Sequence, residues 1–344
     1  MTEPESTAAD LPAAAGGRSA TGGRTAAGTE AAGAPRATST ARGSAVSRAA
    51  ATIVERATSD RAEVAGPGDV VDIWVNFVSD ELAAKFLSHR QNRGIDLYLK
   101  SSEHRGEAAS VLAVMDELGV TTGIVTADLG RGAEEALAAA SEHPGRFLVA
   151  GGVTDPSRPT RNVRRVRALA EDPAFVMVRV MSVATGAAVN DPRHYPLYSV
   201  CEELSIPVGI NVGVPGPKVR SRLQHPEMLE DVLIDFPDLV VVGAHMGHPY
   251  EELLMNYMRK WRNLYLSCTA YSPRYMDHML LRFMNSSTYR GRVLWGSDEP
   301  WFPMRRSLTE ARDLPLDPTA MELFLGGTAR KLFTRNPTPG APAA

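Results

Sequence analysis

Two apolar segments of this 344-residue chain each end in a side chain that can move protons or bind a metal ion. The segment 240–244 runs into His245, and the segment 293–297 runs into Asp298. Imidazole and carboxylate groups are common general acids, general bases and metal ligands. A Gly or Pro turn follows each of them, as expected where a buried strand ends. We therefore predict that His245 and Asp298 form the chemical centre of the protein.

The first apolar segment, residues 71–77, contributes further polar and aromatic groups. Side chains alternate along a strand, so Asp72, Trp74 and Asn76 are predicted to share one face. The Asn76 amide can donate hydrogen bonds to an oxyanion, and Trp74 can border the same pocket. Ser297 is expected to support Asp298 by hydrogen bonding.

Three more residues extend the predicted site. Arg179, near the end of the segment 175–180, can hold a carboxylate with two parallel hydrogen bonds. Asn211, before Val212-Gly213, can bind an oxyanion as Asn76 does. His248 is expected to line the pocket or to cap the following helix. A purely structural pair of Asp298 with Arg179 or with His245 is the alternative.

These residues need a scaffold that brings several strand ends together. Between residues 67 and 336, short β-rich runs alternate with helical stretches in about eight repeats, which favours a single (β/α)8 TIM barrel, an α/β fold with its active site at the carboxyl ends of the strands. The runs are continuously apolar, as in parallel strands covered on both faces. An open doubly wound sheet usually has a Gly-rich phosphate loop after its first strand, and none follows Phe77.

The ends of the chain differ from this central region. Residues 1–66 are rich in Ala, Gly, Thr, Ser and Arg and predict a disordered N-terminal tail, and residues 337–344 predict a flexible C-terminus. A transit segment and a downstream start codon remain alternatives for the tail. Cys201 and Cys268 are expected to be buried free thiols.

The composition also limits the partners. A net charge of -3 indicates no excess of basic residues that would bind nucleic acid. No apolar run approaches the roughly 20 residues that span a bilayer. We therefore expect a cytoplasmic protein that binds a small molecule and neither nucleic acid nor a membrane.

Several short motifs, in their order and spacing, resemble the amidohydrolase-related (amidohydrolase family 2) TIM-barrel family, which includes aminocarboxymuconate-semialdehyde decarboxylase-like enzymes. The motifs are Pro144-Gly145-Arg146-Phe147, Asp191 with Tyr195-Pro196-Leu197-Tyr198, Ile206-Pro207-Val208, Ala244-His245-Met246-Gly247, Asn263-Leu264-Tyr265-Leu266, Gly296-Ser297-Asp298-Glu299-Pro300 and Ala329-Arg330-Lys331-Leu332-Phe333. The resemblance implies a hydrolase or carboxy-lyase that acts on a small carboxylated molecule, with a homodimer as a family-level expectation.

The metal ligands that the resemblance implies are only partly present. The family's first strand usually ends in His-x-His, where this chain has Trp74 and Asn76, and its fifth strand ends in a third His, where this chain has Asn211. The later His and the last-strand Asp match His245 and Asp298. In the decarboxylase branch the residue matching Asp298 is a metal ligand, and the one matching His245 works beside the metal.

These replacements change the expected chemistry. Zinc prefers imidazole, thiolate and carboxylate donors, whereas an indole cannot bind it and neutral amide oxygens suit harder cations. We therefore expect no resident cofactor and an Asp298–His245 acid–base pair that hydrolyses or decarboxylates its substrate. A weakly bound Zn²⁺, Mn²⁺ or Mg²⁺ on Asp298 and His245 is the alternative for the metal. The alternative function is a non-catalytic barrel that keeps its pocket for binding or regulation.

Overall fold

The computed structural model describes residues 68–92, 107–130 and 133–334. The predicted tail at 1–66 and the predicted C-terminus at 337–344 lie outside the described residues, and both remain predictions.

Eight parallel strands follow one another around a single sheet, each paired with the next along the chain. This order confirms the predicted (β/α)8 barrel and excludes a doubly wound sheet, in which the strand order reverses. The strands, β1 to β8, are Val70–Val75, Val120–Asp128, Phe147–Val153, Phe175–Val180, Val208–Asn211, Val241–Ala244, Leu264–Ser267 and Val293–Leu294.

Helices connect the strands and cover the outside of the sheet. In chain order, α1 to α12 are Asp80–Ser88, Ala108–Leu118, Glu134–Glu142, Pro159–Leu169, Ser182–Thr185, Tyr195–Glu203, Met228–Asp235, Glu251–Lys260, His278–Asn285, Met304–Arg312, Pro318–Glu322 and Thr328–Phe333. Short 3-10 turns lie at Arg90–Asn92, Pro192–His194, Ser221–Gln224 and Pro273–Tyr275, and a π-helical turn at Leu323–Gly327 precedes α12. None of the helices in the described ranges is long and apolar enough to cross a membrane.

Burial explains why the strands read as unbroken apolar runs. Ile73, Ile124, Met177 and Val242 come from four strands and pack together inside the barrel, while the intervening residues pack against the helices. Both faces of each strand are therefore removed from water, as in other parallel sheets. Cys201 and Cys268 are buried and free, as expected.

The seam between β8 and β1 closes differently from the other strand pairs. The backbone N–H of Asp298 donates to the Trp74 carbonyl at 2.9 Å, and that of Asn76 donates to the Glu299 carbonyl at 2.8 Å. In β1, three steps from Asp72 to Val75 match two steps in β2. The pairing is therefore irregular where Asp72 and Trp74 lie, so simple alternation does not fix the directions of their side chains.

The loops after β5 and β6 meet backbone to backbone. A side chain at Gly213 would place its Cβ 2.5 Å from the carbonyl carbon of Gly247, and both glycines have positive φ, +89° and +69°. Val214 N–H donates to the His248 carbonyl at 2.9 Å, which holds the two loops together. Only glycine permits such an approach with this backbone conformation.

Candidate functional site

Asp298 projects from the loop after β8 and is 9% exposed. Its backbone has φ of +79°, a left-handed conformation that is rare outside glycine. The Asn76 side-chain amide donates to Asp298 Oδ1 at 2.9 Å and to the Glu299 carbonyl at 3.1 Å. Burial raises the pKa of Asp298 to about 8, although the Asn76 hydrogen bond and the Arg179 charge oppose the shift. Asp298 is therefore protonated at neutral pH.

A second carboxyl, Asp72, lies fully buried beside the same seam. It accepts hydrogen bonds from the backbone N–H of Trp74 at 3.0 Å, from that of Ser297 at 2.9 Å, and from the Ser297 hydroxyl. The expectation that Ser297 supports Asp298 is therefore wrong: its hydroxyl donates to Asp72, which lies nearer in the closed seam. Burial raises the pKa of Asp72 to about 6, less than that of Asp298, because these hydrogen bonds favour the carboxylate.

Arg179 is buried in the barrel, with its guanidinium stacked 3.8 Å from the centre of the Trp74 ring. Its Nη2 donates to the carbonyls of Ile73 at 2.6 Å and Ile124 at 3.2 Å, and its Nη1 donates to the Thr126 hydroxyl. Burial lowers the pKa of Arg179 to about 9, opposed by the charges of the two nearby aspartates. The side chain therefore remains a cation at neutral pH.

His245 follows β6 with φ of +65°. Its Nδ1 lies 3.2 Å from the Thr269 carbonyl and 3.0 Å from the Thr269 hydroxyl. The carbonyl can only accept, so a neutral ring that carries its hydrogen on Nδ1 satisfies it and leaves Nε2 as an acceptor. Burial, with the Arg179 charge, lowers the pKa of His245 to about 4. The ring lies 4.9 Å from the Trp74 ring, so the two strand ends meet at one mouth as predicted.

Buried polar atoms that lack hydrogen-bond partners within the described chain lie on β4, on β5 and in the segments that follow these two strands. They are Arg179 Nε, Ser182 Oγ, Asn211 Oδ1 and Gln224 Oε1. Arg179 pairs with Gly209, two residues before Asn211, and Gln224 Nε2 donates to the Gly213 carbonyl at 3.0 Å. A carbonyl can only accept, so this bond fixes which end of the Gln224 amide is unpartnered.

The structure separates His248 from this buried centre. Its side chain is 57% exposed and its Nδ1 lies 2.7 Å from Glu251 Oε1, at the start of α8. Trp295 is fully buried, and its Nε1 donates to the Ser307 hydroxyl at 3.1 Å, so it packs in the core. Trp301 instead contacts Phe86 of α1 at 4.5 Å between ring centres.

The donor set does not suit the metal site that the barrel implies. Within the described ranges, no three His, Cys, Asp or Glu side chains lie close enough together to hold an ion. Trp74 stands at one ligand position with a cation stacked on it, and Asn76 already donates to Asp298. One carboxyl and one imidazole remain, fewer than the usual protein ligands of zinc.

A comparison with known protein families matches the part of the chain that forms the barrel. The amidohydrolase family profile covers residues 71–335, which is most of the chain. The chain belongs to the amidohydrolase family. It is therefore an enzyme of a family of hydrolases and carboxy-lyases, as the motif resemblance implies. No curated protein matches this amidohydrolase.

Solved structures share the barrel of this amidohydrolase at low identity. An uncharacterised TIM-barrel protein from Bordetella bronchiseptica has a TM-score of 0.63 at 23% identity, covering 77% of this chain and 98% of its own. The 5-carboxyvanillate decarboxylase of Sphingomonas paucimobilis has a TM-score of 0.58 at 16% identity, covering 77% and 98%. A dihydroxybenzoic acid decarboxylase from Polaromonas sp. JS666, with bound manganese and the inhibitor 2-nitroresorcinol, has a TM-score of 0.57 at 14% identity, covering 77% and 96%.

Sequence reasoning missed several residues that shape the site of this amidohydrolase. Thr269 orients His245, Thr126 holds Arg179, and Ser182 and Gln224 contribute unpartnered atoms. Thr269 stands two residues beyond β7, a position that barrel geometry marks as facing the mouth. Gln224 sits in a 3-10 turn far from any strand end, and nothing in the sequence points to it.

Proposed function

We propose that this member of the amidohydrolase family is a carboxy-lyase that removes CO₂ from a small carboxylated molecule without a resident metal ion. The observation that carries the proposal is the buried Asp298 carboxyl, which shares its surroundings with Asp72 and the single cation Arg179. One cation balances one ionised carboxyl, so the other keeps its proton. Asp72 has the lower pKa, about 6 against about 8, and Asp298 is therefore the proton donor.

In the proposed step, the bond between the substrate carbon and its carboxylate breaks, and CO₂ leaves while the electron pair stays on the carbon. Asp298 transfers its proton to that carbon, which forms the new C–H bond. The resulting Asp298 carboxylate is stabilised by the Asn76 amide and by the Arg179 charge. Asp298 then takes up a new proton from the solvent, so each turnover consumes one proton and releases one CO₂.

The acceptors at the site narrow the substrate class. His245 presents an unprotonated Nε2. Asn211 is 6% exposed, and its Oδ1 has no hydrogen-bond partner in the described chain. Both suit a ligand that donates hydrogen bonds. Two of the solved neighbours are named for 5-carboxyvanillate and dihydroxybenzoic acid, which are hydroxylated aromatic acids. We propose hydroxylated aromatic acids as the first class to test.

Hydrolysis is the second candidate within the family. It requires a base that activates water, and a protonated Asp298 cannot act as one. His245, with its pKa lowered to about 4, is a weak base at neutral pH. Its neutral ring supports hydrolysis of activated esters or lactones only.

The test uses a panel of hydroxybenzoic acids and carboxylated methoxyphenols in D₂O. The wild type is expected to release CO₂ and to leave one deuterium on the carbon that carried the carboxylate. Asp298→Asn keeps the size of the side chain and loses the proton. Binding of panel acids without CO₂ release by the wild type supports a non-catalytic barrel, and hydrolysis of a matching ester or lactone supports the hydrolase instead.

A further inference from the structure

We infer that the Arg179 guanidinium is the built-in cation of this barrel and that, together with the Trp74 ring, it takes the place of a metal ion. Residue 74 is one of the positions where the family resemblance implies a metal-binding His. The guanidinium stacks 3.8 Å from the centre of the ring at that position. A positive charge therefore sits beside the vacated ligand position.

The hydrogen bonds of Arg179 fix this charge in place. Nη2 donates to the Ile73 carbonyl at 2.6 Å and to the Ile124 carbonyl at 3.2 Å, and Nη1 donates to the Thr126 hydroxyl. These acceptors belong to β1 and β2 and are all neutral. They anchor the guanidinium without cancelling its charge, which remains available to the aspartates.

The surroundings of Arg179 fit a cation with a fixed role. The charges of both Asp298 and Asp72 favour the protonated guanidinium against the cost of burying it. No direct ion pair joins Arg179 to either aspartate in the described part of the chain, so the attraction acts through space. A divalent ion bound by Asp298 and His245 would face this fixed positive charge in a buried setting, where repulsion is weakly screened.

The Trp74 ring completes the replacement. Its face carries Arg179, and the ring lies 4.9 Å from the His245 ring at an angle of 59°. The space between the imidazole and the guanidinium is thus filled by an indole, which offers no donor atom for a metal. Restoring histidine at positions 74 and 76 would supply two ligands while leaving the guanidinium charge behind.

This inference shares with the proposed function the premise of a metal-independent site, but its tests need no substrate and do not depend on the reaction. Four proteins are dialysed against Mn²⁺ or Zn²⁺ and their metal content is measured: the wild type, Arg179→Met, Trp74→His/Asn76→His, and that double variant with Arg179→Met. Only the triple variant is expected to hold about one ion per chain, because it alone combines added imidazole donors with removal of the cation. Arg164→Met on the exposed face of α4 removes the same charge elsewhere and serves as the matched control.

A second measurement keeps the test valid if the triple variant does not fold. Metal content is also measured for Trp74→His and for Trp74→His with Arg179→Met, both of which leave the Asn76 hydrogen bond to Asp298 in place. The variant without the guanidinium is expected to take up at least tenfold more metal, because the fixed positive charge beside the new ligand is gone. Trp74→His with Arg179→Lys keeps a charge there and should take up less, and Trp74→His with Arg164→Met should not differ from Trp74→His.

Three results would overturn the inference. The first is stoichiometric metal in the wild type that is lost in Asp298→Asn and in His245→Ala. The second is equal metal uptake by the double and triple histidine variants. The third is equal metal uptake by Trp74→His with and without Arg179→Met. A failed search for a substrate would leave all three measurements intact.

Discussion

The two sides of the barrel mouth differ in how their buried polar groups are satisfied. At the seam of β8 and β1, the Asp72 carboxylate accepts three hydrogen bonds and Asp298 accepts one from Asn76. At the ends of β4 and β5, Arg179 Nε and Asn211 Oδ1 are among four buried atoms without a partner in the described chain. Buried polar atoms are rarely left unpaired in native proteins.

The hydrogen bonds of the seam are already formed within the protein, whereas the unpartnered atoms near β4 and β5 are free to bind a ligand. Hydrogen bonds at the seam hold Asp298 in one geometry before any substrate arrives, which is what proton transfer requires. The unpartnered atoms of Asn211 and its neighbours can gain their hydrogen bonds from the substrate. We therefore expect mutations at the seam to act on the chemical step and on folding, and mutations at the other side to act on binding.

The largest effect is expected from Asp298→Asn, which removes the proposed proton donor. Loss of a general acid typically costs about 10²–10⁴-fold, so kcat should fall by roughly a thousandfold while KM changes little. Steady-state kinetics on a substrate from the panel measures both values. A variant that keeps more than a tenth of the wild-type kcat would remove Asp298 from the chemistry.

Stability of the same variant gives an independent control. The folded pKa of Asp298, about 8, lies above the ordinary 3.8, so its contribution to stability is present below about pH 4 and is lost as the pH rises through 8. Asp298→Asn does not titrate. Its free energy of unfolding in urea, taken relative to that of the wild type, should therefore rise between pH 4 and pH 8. The expected rise is at least about 1.4 kcal/mol, the equivalent of one pKa unit.

Asp72→Ala should break the seam itself. The substitution leaves the backbone N–H groups of Trp74 and Ser297 without their acceptor in a buried place. Each such loss costs about 1–3 kcal/mol, so the free energy of unfolding should fall by roughly 2–5 kcal/mol. Asn211→Ala is the matched control on the unpartnered side, and an equal loss there would erase the contrast between the two sides.

The pH dependence of kcat/KM should show the two environments directly. The proposed reaction requires neutral His245 and protonated Asp298, whose pKa values lie at about 4 and about 8. The rate should therefore rise through pH 4, stay level, and fall tenfold per pH unit above pH 8. A rate that instead rises through pH 8 would mean that Asp298 works as the ionised base, which favours hydrolysis.

Asn211→Leu tests the side that awaits a ligand. It removes a buried acceptor that has no partner in the described chain, so folding stability should stay level or rise by about 1 kcal/mol. KM should increase by about tenfold, the value of one hydrogen bond to the substrate, with kcat nearly constant. Loss of stability in this variant would indicate that Asn211 is a structural residue.

The smallest effect is expected from His248→Ala. The side chain is 57% exposed and pairs with Glu251 on the surface, and such pairs contribute about 0–1 kcal/mol. The free energy of unfolding and kcat/KM should both stay close to the wild-type values. A tenfold increase in KM would restore His248 to the substrate-binding residues predicted from the sequence.

Most of the barrel was predictable because its strands carry a strong local signal. The apolar segment 175–180 matches β4 at both ends, since buried parallel strands contain few polar residues. Strand β8 is only Val293–Leu294 and shorter than its apolar run, because the seam closes through loop hydrogen bonds rather than a ladder. The helix α10 was not predicted, although it follows β8 where the repeat expects a helix, because its residues are largely polar.

Site residues were predictable where a single polar residue stands at the end of an apolar strand. The pattern marked Asn76, Arg179, Asn211, His245 and Asp298, and the structure brings Asn76 to Asp298 and places His245 at the same mouth. It did not predict that Ser297 donates to Asp72, because that contact forms only when β8 closes against β1. The pKa order of the two aspartates also depends on hydrogen bonds across the seam, 225 residues apart in sequence.

The contact between Gly213 and Gly247 has a consequence for how this enzyme can acquire new substrates. Any side chain at Gly213 would push the β6 loop away and so displace both Asn211 and His245. Neither glycine needs to touch a ligand for this effect. Laboratory evolution toward altered specificity should therefore leave both glycines unchanged. Accepted substitutions should instead accumulate at exposed positions of the surrounding loops, such as Val214 and Tyr275, where a larger or smaller residue displaces no backbone.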